Sequence, residues 1–129
     1  MRGPAPICRL LPSLGLLALL LGGCVSIGNT NAVEQANELA IACRTDEALA
    51  LAGRTTDPTT LAGGIAELQR VVFLRDAGRI AEADRALEAR NMRVGADASE
   101  SADTAQSVEA SLAELRAERR ARTGRAVCG

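Results

Sequence analysis

The sequence predicts an all-α protein, either a short helical bundle or a small stack of helical hairpins. Beyond residue 31, apolar residues recur at steps of three and four, which is the period of an amphipathic helix. No segment alternates apolar and polar residues for long enough to predict a strand. Glycine, proline and helix-capping residues divide the pattern into segments of helical length. The expected fold is therefore a series of helices joined by short connections.

The first 23 residues have the three parts of a secretory signal. Arg2 and Arg9 give a positive beginning, residues 10–21 form an apolar run, and small residues follow. The apolar run is too short to span a bilayer comfortably, so it does not count as an element of the fold. We therefore expect residues 1–23 to be removed from the mature protein.

The segment Leu21-Gly22-Gly23-Cys24 resembles the lipobox of bacterial lipoproteins, in which an aliphatic residue and two small residues precede a cysteine. The resemblance implies cleavage between Gly23 and Cys24, and a diacylglycerol on the Cys24 sulfur. Several acyl chains would anchor the protein stably, since each buried methylene contributes about 0.8 kcal/mol. In Gram-negative lipoproteins, an aspartate directly after the lipidated cysteine favours retention at the inner membrane. This sequence has Val25 at that position, so the resemblance implies the outer membrane, facing the periplasm. An ordinary secretory signal and an uncleaved anchor are the alternatives.

The composition disfavours most kinds of site. Two of the fifteen arginines lie in residues 1–23, so thirteen arginines and sixteen acids remain, and this balance does not favour nucleic acid as a partner. The chain has no histidine, which is the commonest general base and metal ligand. Phe73 is the single aromatic residue, which argues against an aromatic ligand cage. We therefore expect no enzyme activity, no catalytic residue, no cofactor and no metal site.

Two cysteines, Cys43 and Cys128, remain beyond Cys24, because Cys8 lies within the signal. In an oxidising compartment such a pair suggests one disulfide, which would join the end of the first helix to the last residues of the chain. A loop of this size would stabilise the fold by roughly 4–5 kcal/mol. Two free thiols and a disulfide between chains are the alternatives.

Residues 24–31 are expected to form the lipidated cysteine and a short polar tether, and residues 32–129 the domain. Asn31 and Glu34 resemble a capping box, which predicts that the first helix begins at about Ala32 and extends to about Arg44. A second, short helix is expected from Thr45 or Asp46 to Ala52. A single helix over residues 32–52 is the alternative.

The third helix is expected to begin at Asp57-Pro58, because aspartate suits the cap and proline the first turn, and to extend to about Ala77. Gly63 and Gly64 either weaken it, by roughly 1 kcal/mol each relative to alanine, or permit close packing. Phe73 is expected in the core and, if exposed, would be the candidate anchor for a partner. The apolar stripe of this helix consists of Leu61, Ile65, Leu68 and Val72, widened by Val71 and Leu74, and we expect Ile65, Leu68, Val72 and Leu74 to belong to the core with Phe73.

Two further helices complete the prediction, one over about residues 80–91 and a long one over about residues 99–122. Residues 92–98 are expected to form the loop between them. The long helix ends in a cluster of arginines. They could contact an anionic lipid or an acidic partner, or they could form a solvated helix end whose positive charges interact favourably with the helix dipole. We favour the second interpretation. These arginines are Arg116, Arg119, Arg120, Arg122 and Arg125.

Residues 76–87 are similar to the turn and second helix of a tetratricopeptide repeat. In this resemblance Gly78 forms the turn between two antiparallel helices, and Ala83 is the small residue that lets the two helices pack closely. Glu47-Ala48 lies 35 residues before Glu82-Ala83, close to the 34-residue period of that family. The large aromatic residue of the repeat and its proline ending are missing. The resemblance implies a hairpin stack that binds a peptide or helix on its concave face, and a generic bundle is the alternative.

These observations predict a membrane-anchored periplasmic lipoprotein that acts as a non-catalytic adaptor or accessory subunit. Its expected partners are the membrane, through the lipid on Cys24, and an unidentified envelope protein. The alternative function is an envelope-stress or small-ligand sensor, which would need an internal cavity to hold the ligand.

Overall fold

The computed structural model describes residues 27–129, and within this range the chain forms helices and no strand. The all-α small bundle that the sequence predicts is therefore confirmed. None of these helices is long and apolar enough to cross a bilayer. The expected signal, with Gly23 and Cys24, lies outside the described residues. The helices are α1 (Thr30–Ile41), α2 (Thr45–Thr55), α3 (Leu61–Asp76), α4 (Ile80–Val94) and α5 (Ala98–Thr123).

The first four helices pack on one another in chain order, α1 on α2, α2 on α3 and α3 on α4. The fifth helix departs from this order, because its main contacts are with α3 and α1. Phe73 is buried at the centre of the core, as predicted. Fully buried alanines allow the helix backbones to approach closely. They are Ala36, Ala40, Ala48, Ala52, Ala62, Ala66 and Ala83.

The turn after α1 and the turn after α3 have the same hydrogen bonds. Arg44 N–H donates to Leu39 O, and Arg79 N–H donates to Leu74 O, each at 2.8 Å. One residue earlier in each turn the backbone is left-handed, with φ +60° at Cys43 and +72° at Gly78. This is the Schellman ending of a helix, in which glycine is favoured at the left-handed position. A single helix over residues 32–52 is therefore wrong.

The repeat extends into the helices that follow the two turns. Arg44 pairs with Glu47 and Arg79 with Glu82, and these hydrogen bonds lower the pKa of both glutamates below the ordinary value. One residue after each glutamate comes a fully buried alanine. The 35-residue spacing in the sequence thus corresponds to a repeated turn and helix start in the structure. Whether these hairpins belong to the tetratricopeptide class stays a prediction.

The first helix begins earlier than expected. Asn29 is its N-cap, and the Asn29 side chain accepts a hydrogen bond from Ala32 N–H at 3.2 Å. The predicted capping box of Asn31 and Glu34 is therefore wrong, since both residues already lie within α1. Thr30 and Asn31, which the prediction assigned to the tether, therefore lie in α1.

The start of α3 also differs from the prediction. Thr60 is the N-cap, and its hydroxyl accepts from Gly63 N–H, whereas the Asp57 carboxylate accepts from Thr59 N–H and closes the preceding turn. A Cβ on Gly63 would lie 1.8 Å from the Asp57 carbonyl oxygen. Gly63 therefore permits a close approach of two backbone segments. A Cβ on Gly64 would meet nothing within 4 Å, so that glycine has no such role.

The ends of α4 and α5 agree with the prediction to within three residues, since α4 continues to Val94 and α5 spans Ala98–Thr123. Asp97 and Glu100 form a capping box at the start of α5, where each side chain accepts from the other residue's backbone N–H. Ile65 is exposed, so the prediction that it belongs to the core is wrong, and Leu61 of the same stripe is exposed as well. Both lie on the first turns of α3, which α5 leaves open.

Candidate functional site

Cys43 and Cys128 form the predicted disulfide, with their Cα atoms 5.5 Å apart. The bond attaches the last residues of the chain to the turn between α1 and α2, across a sequence separation of 85 residues. It keeps the segment after α5 against the carboxyl-terminal end of α1. Free thiols and a disulfide between chains are therefore not what the structure contains.

A buried arginine lies next to this disulfide. Arg119, on α5, is 0% exposed, and its two terminal nitrogens donate to the Asp76 carboxylate at 2.5 and 3.2 Å. The same nitrogens donate at 2.8 Å to two backbone carbonyls, Ala40 O in α1 and Ala126 O in the final segment. One guanidinium thus joins the ends of α1, α3 and α5 to the carboxyl-terminal segment.

The prediction that Arg119 lies on the surface with the other arginines of α5 is wrong. The signal that could have located it is the α5 stripe, because Arg119 follows Val108, Leu112 and Leu115 at the same steps of three and four. Two neighbouring arginines are paired as well, since Arg116 donates to Asp76, and Arg122 pairs with two glutamates, Glu38 and Glu118. These ion pairs favour a structural role for the arginine-rich end of α5, whereas the contribution of the helix dipole stays a prediction.

A groove of about 450 Å³ opens between α1, α3 and α5. Its floor is apolar and its rim polar, so it suits an amphipathic partner more than a charged one. Glu114 gives one side of the rim a negative charge, whereas Glu118, on the same side, is paired with Arg122. The floor consists of Leu68, Val72, Phe73, Val108 and Leu115, and the rest of the rim of Asn37, Gln69, Ser107, Ser111 and the exposed Ile65.

The polar groups of the groove hold its walls in place. Gln69 in α3 donates through Nε2 to Val33 O in α1 at 3.1 Å, and Ser107 donates to Asp103 O within α5. Gln69 Oε1 is buried and has no hydrogen-bond partner among the described residues. No cluster of three metal-ligating side chains occurs in residues 27–129. The arrangement offers shape and apolar area for binding.

The chain enters the bundle beside the first turn of α3. Ile27 O accepts a hydrogen bond from Ala62 N–H at 2.9 Å, and Gly28, with φ +74°, lies against Thr60. A side chain on Gly28 would lie within 3 Å of Thr60 Oγ1. The position of Ile27 is therefore fixed on the domain three residues after Cys24.

Of the residues singled out in the sequence, the structure brings together Cys43 and Cys128, while Gly23 and Cys24 lie outside the described range. The groove and the buried position of Arg119 were not predicted. Comparison of the chain with protein-family models, with curated proteins and with solved structures finds no match.

Proposed function

We propose that this protein is a lipid-anchored periplasmic adaptor of the outer membrane, which binds a segment of an envelope protein in the α1–α3–α5 groove. The anchor in this proposal is the acylated Cys24 that the lipobox resemblance implies. The role is non-catalytic, and the single observation that supports it best is the half-open apolar groove on a small, tightly crosslinked domain.

The composition of the groove indicates the chemistry of the partner. Leu68, Val72 and Leu115 offer an apolar floor to the aliphatic side chains of an amphipathic helix or extended peptide. Glu114 lines the groove and has no ion pair with another described residue. A basic residue on the partner, placed beside the aliphatic anchors, would complement this carboxylate and help to select the partner.

The crosslinked end of α5 supports the binding role. The groove has α5 as one wall, and this helix is attached to α1 and α3 by the disulfide and by Arg119. A wall that is already fixed loses little conformational freedom when a partner binds, and such preorganisation raises affinity. The two crosslinks therefore have a function besides stability, which is to keep the groove in one shape.

The proposal predicts a site-specific crosslink from the groove. A photoreactive amino acid at Ser111, on the rim, is expected to form an adduct of discrete mass with an envelope protein in intact cells. The matched control is Ala113, which lies on the same helix, is exposed as Ser111 is, and does not line the groove. Equal labelling from both positions, or no protein adduct from Ser111, would contradict the adaptor function.

A small-ligand sensor is the second candidate, and the groove volume favours it to a lesser degree. About 450 Å³ lies within the usual range of small-molecule sites. Native mass spectrometry of the membrane-extracted protein separates the two functions. A bound apolar molecule, together with no adduct from Ser111, would favour the sensor over the adaptor.

A further inference from the structure

We infer that the exposed apolar side chains at the start of α3 contact the phospholipid surface, so that the domain lies on the membrane in one orientation. The inference rests on the proposed anchor at Cys24. The surface, here called the anchor-end surface, consists of Ile27, Leu61 and Ile65. Their exposed fractions are 61%, 53% and 41%, which is high for large aliphatic residues that lie close together.

The three side chains share one end of the domain. Leu61 directly precedes Ala62, whose N–H binds Ile27 O. Ile65 lies four residues after Leu61, which places the two on the same face of α3. Pro58 lines a hollow together with Leu61 and Ile65, and this adds apolar area to the surface.

The length of chain before Ile27 identifies the membrane as the occupant. Three residue steps separate Cys24 from Ile27, and a fully extended chain spans at most about 3.6 Å per residue. A lipid on Cys24 therefore holds Ile27 within about 11 Å of the point where the acyl chains enter the bilayer. Since Ile27 is fixed to α3, Leu61 must lie near the bilayer as well.

The charges beside the anchor-end surface agree with a phospholipid headgroup layer. Arg90 lines the hollow together with Leu61 and Ile65, and an arginine in this position can direct its guanidinium to a phosphate while its aliphatic stem packs on the surface. Asp57, also exposed, closes the preceding turn. One charge of each sign favours a zwitterionic surface over a strongly anionic one.

An exposed apolar residue at the opposite end of the domain, Ile80, serves as a control that should not contact the membrane. Asp76 and Ala40 lie at the carboxyl-terminal ends of α3 and α1, where Arg119 joins them. The 16 residues of α3 extend about 24 Å at 1.5 Å per residue. Ile80 follows the turn after Asp76 and is 47% exposed, nearly as much as Leu61. A side chain at residue 80 should therefore remain outside the bilayer.

The test uses the absence of tryptophan and tyrosine from the chain, so that one introduced tryptophan is the sole indole reporter. Leu61→Trp and Ile80→Trp are purified from membranes as mature protein and reconstituted into phosphatidylcholine vesicles with and without bromine on the acyl chains. We expect the emission of Leu61→Trp to be largely lost on bromination and that of Ile80→Trp to be unchanged. Ile65→Trp is expected to behave as Leu61→Trp does.

Flotation of the same vesicles and the intact mass of each variant separate the two possible failures. If the protein is acylated and floats with the vesicles, but bromination leaves the emission of Leu61→Trp and Ile80→Trp equally unaffected, the oriented contact is overturned and the anchor stands. Protein that is not acylated and does not float would overturn both the anchor and the contact. Equal quenching of both reporters would also overturn the proposed orientation.

Discussion

Reduction of the Cys43–Cys128 disulfide is expected to lower the free energy of unfolding by roughly 4–5 kcal/mol, if the constraint acts through the entropy of the unfolded chain. The bond closes a loop over a sequence separation of 85 residues, which includes α2 to α5. Its loss would also release the final segment, whose Ala126 carbonyl accepts from Arg119. Urea denaturation of Cys43→Ser/Cys128→Ser against the oxidised protein measures the effect.

The backbone at Cys43 provides a control that separates the crosslink from local strain. Cys43 has φ +60°, a conformation that costs a non-glycine residue roughly 1–2 kcal/mol, whereas the equivalent residue of the second turn is Gly78. Cys43→Gly/Cys128→Ser should therefore be more stable than Cys43→Ser/Cys128→Ser by about 1 kcal/mol. A double serine variant as stable as the oxidised protein would contradict the role of the disulfide.

Replacement of Arg119 by methionine is expected to destabilise the protein by about 3–5 kcal/mol, because it leaves the Asp76 carboxylate buried without its main partner. Two carbonyls, Ala40 O and Ala126 O, would lose their side-chain donor at the same time. Thermal or urea unfolding of the oxidised variant measures the loss. The disulfide remains in place, so the effect reports the buried ion pair and its hydrogen bonds alone.

Two variants test this account of Arg119. Arg122→Met, one turn further along α5, removes only exposed pairs with Glu38 and Glu118, and it should destabilise the protein far less than Arg119→Met does. Asp76→Leu added to Arg119→Met removes the orphaned charge and should recover part of the loss. A cost for Arg119→Met as small as that for Arg122→Met would show that the buried pair contributes little.

Local signals in the sequence predicted the parts of the fold that depend on local interactions. Gly78 marks the end of α3 because a left-handed residue is needed there. The capping box of Asp97 and Glu100 is also local, since its hydrogen bonds span three residues, but it was not among the predictions. The pairing of Cys43 and Cys128 followed from there being two cysteines beyond the expected signal.

Features that depend on tertiary packing could not be predicted in the same way. Asp57-Pro58 is a strong local start signal, yet α3 begins at Leu61, because Asp57 caps the turn before it. Ile65 belongs to the predicted stripe but is exposed, since α5 packs further along α3. Arg119 is buried because Asp76 and two carbonyls meet it across three other segments.

The groove is the feature of the candidate site that sequence analysis was least able to predict. It exists because α5 packs on α1 and α3 and has few contacts with α4, its neighbour in the chain. The periodicity of α5 shows which face is apolar, but it does not show which helices that face will cover. The floor of the groove therefore consists of residues that sequence analysis could assign only to the core.

The intact mass of the mature protein, with membrane fractionation, tests the central claim of a lipid-anchored adaptor most directly. We predict that the protein begins at Cys24, bears acyl chains on that residue and is recovered in the outer-membrane fraction. Cys24→Ser should lose both the acyl mass and the membrane association. An unmodified, soluble wild-type protein would contradict the anchor, and with it the periplasmic adaptor function and the oriented membrane contact.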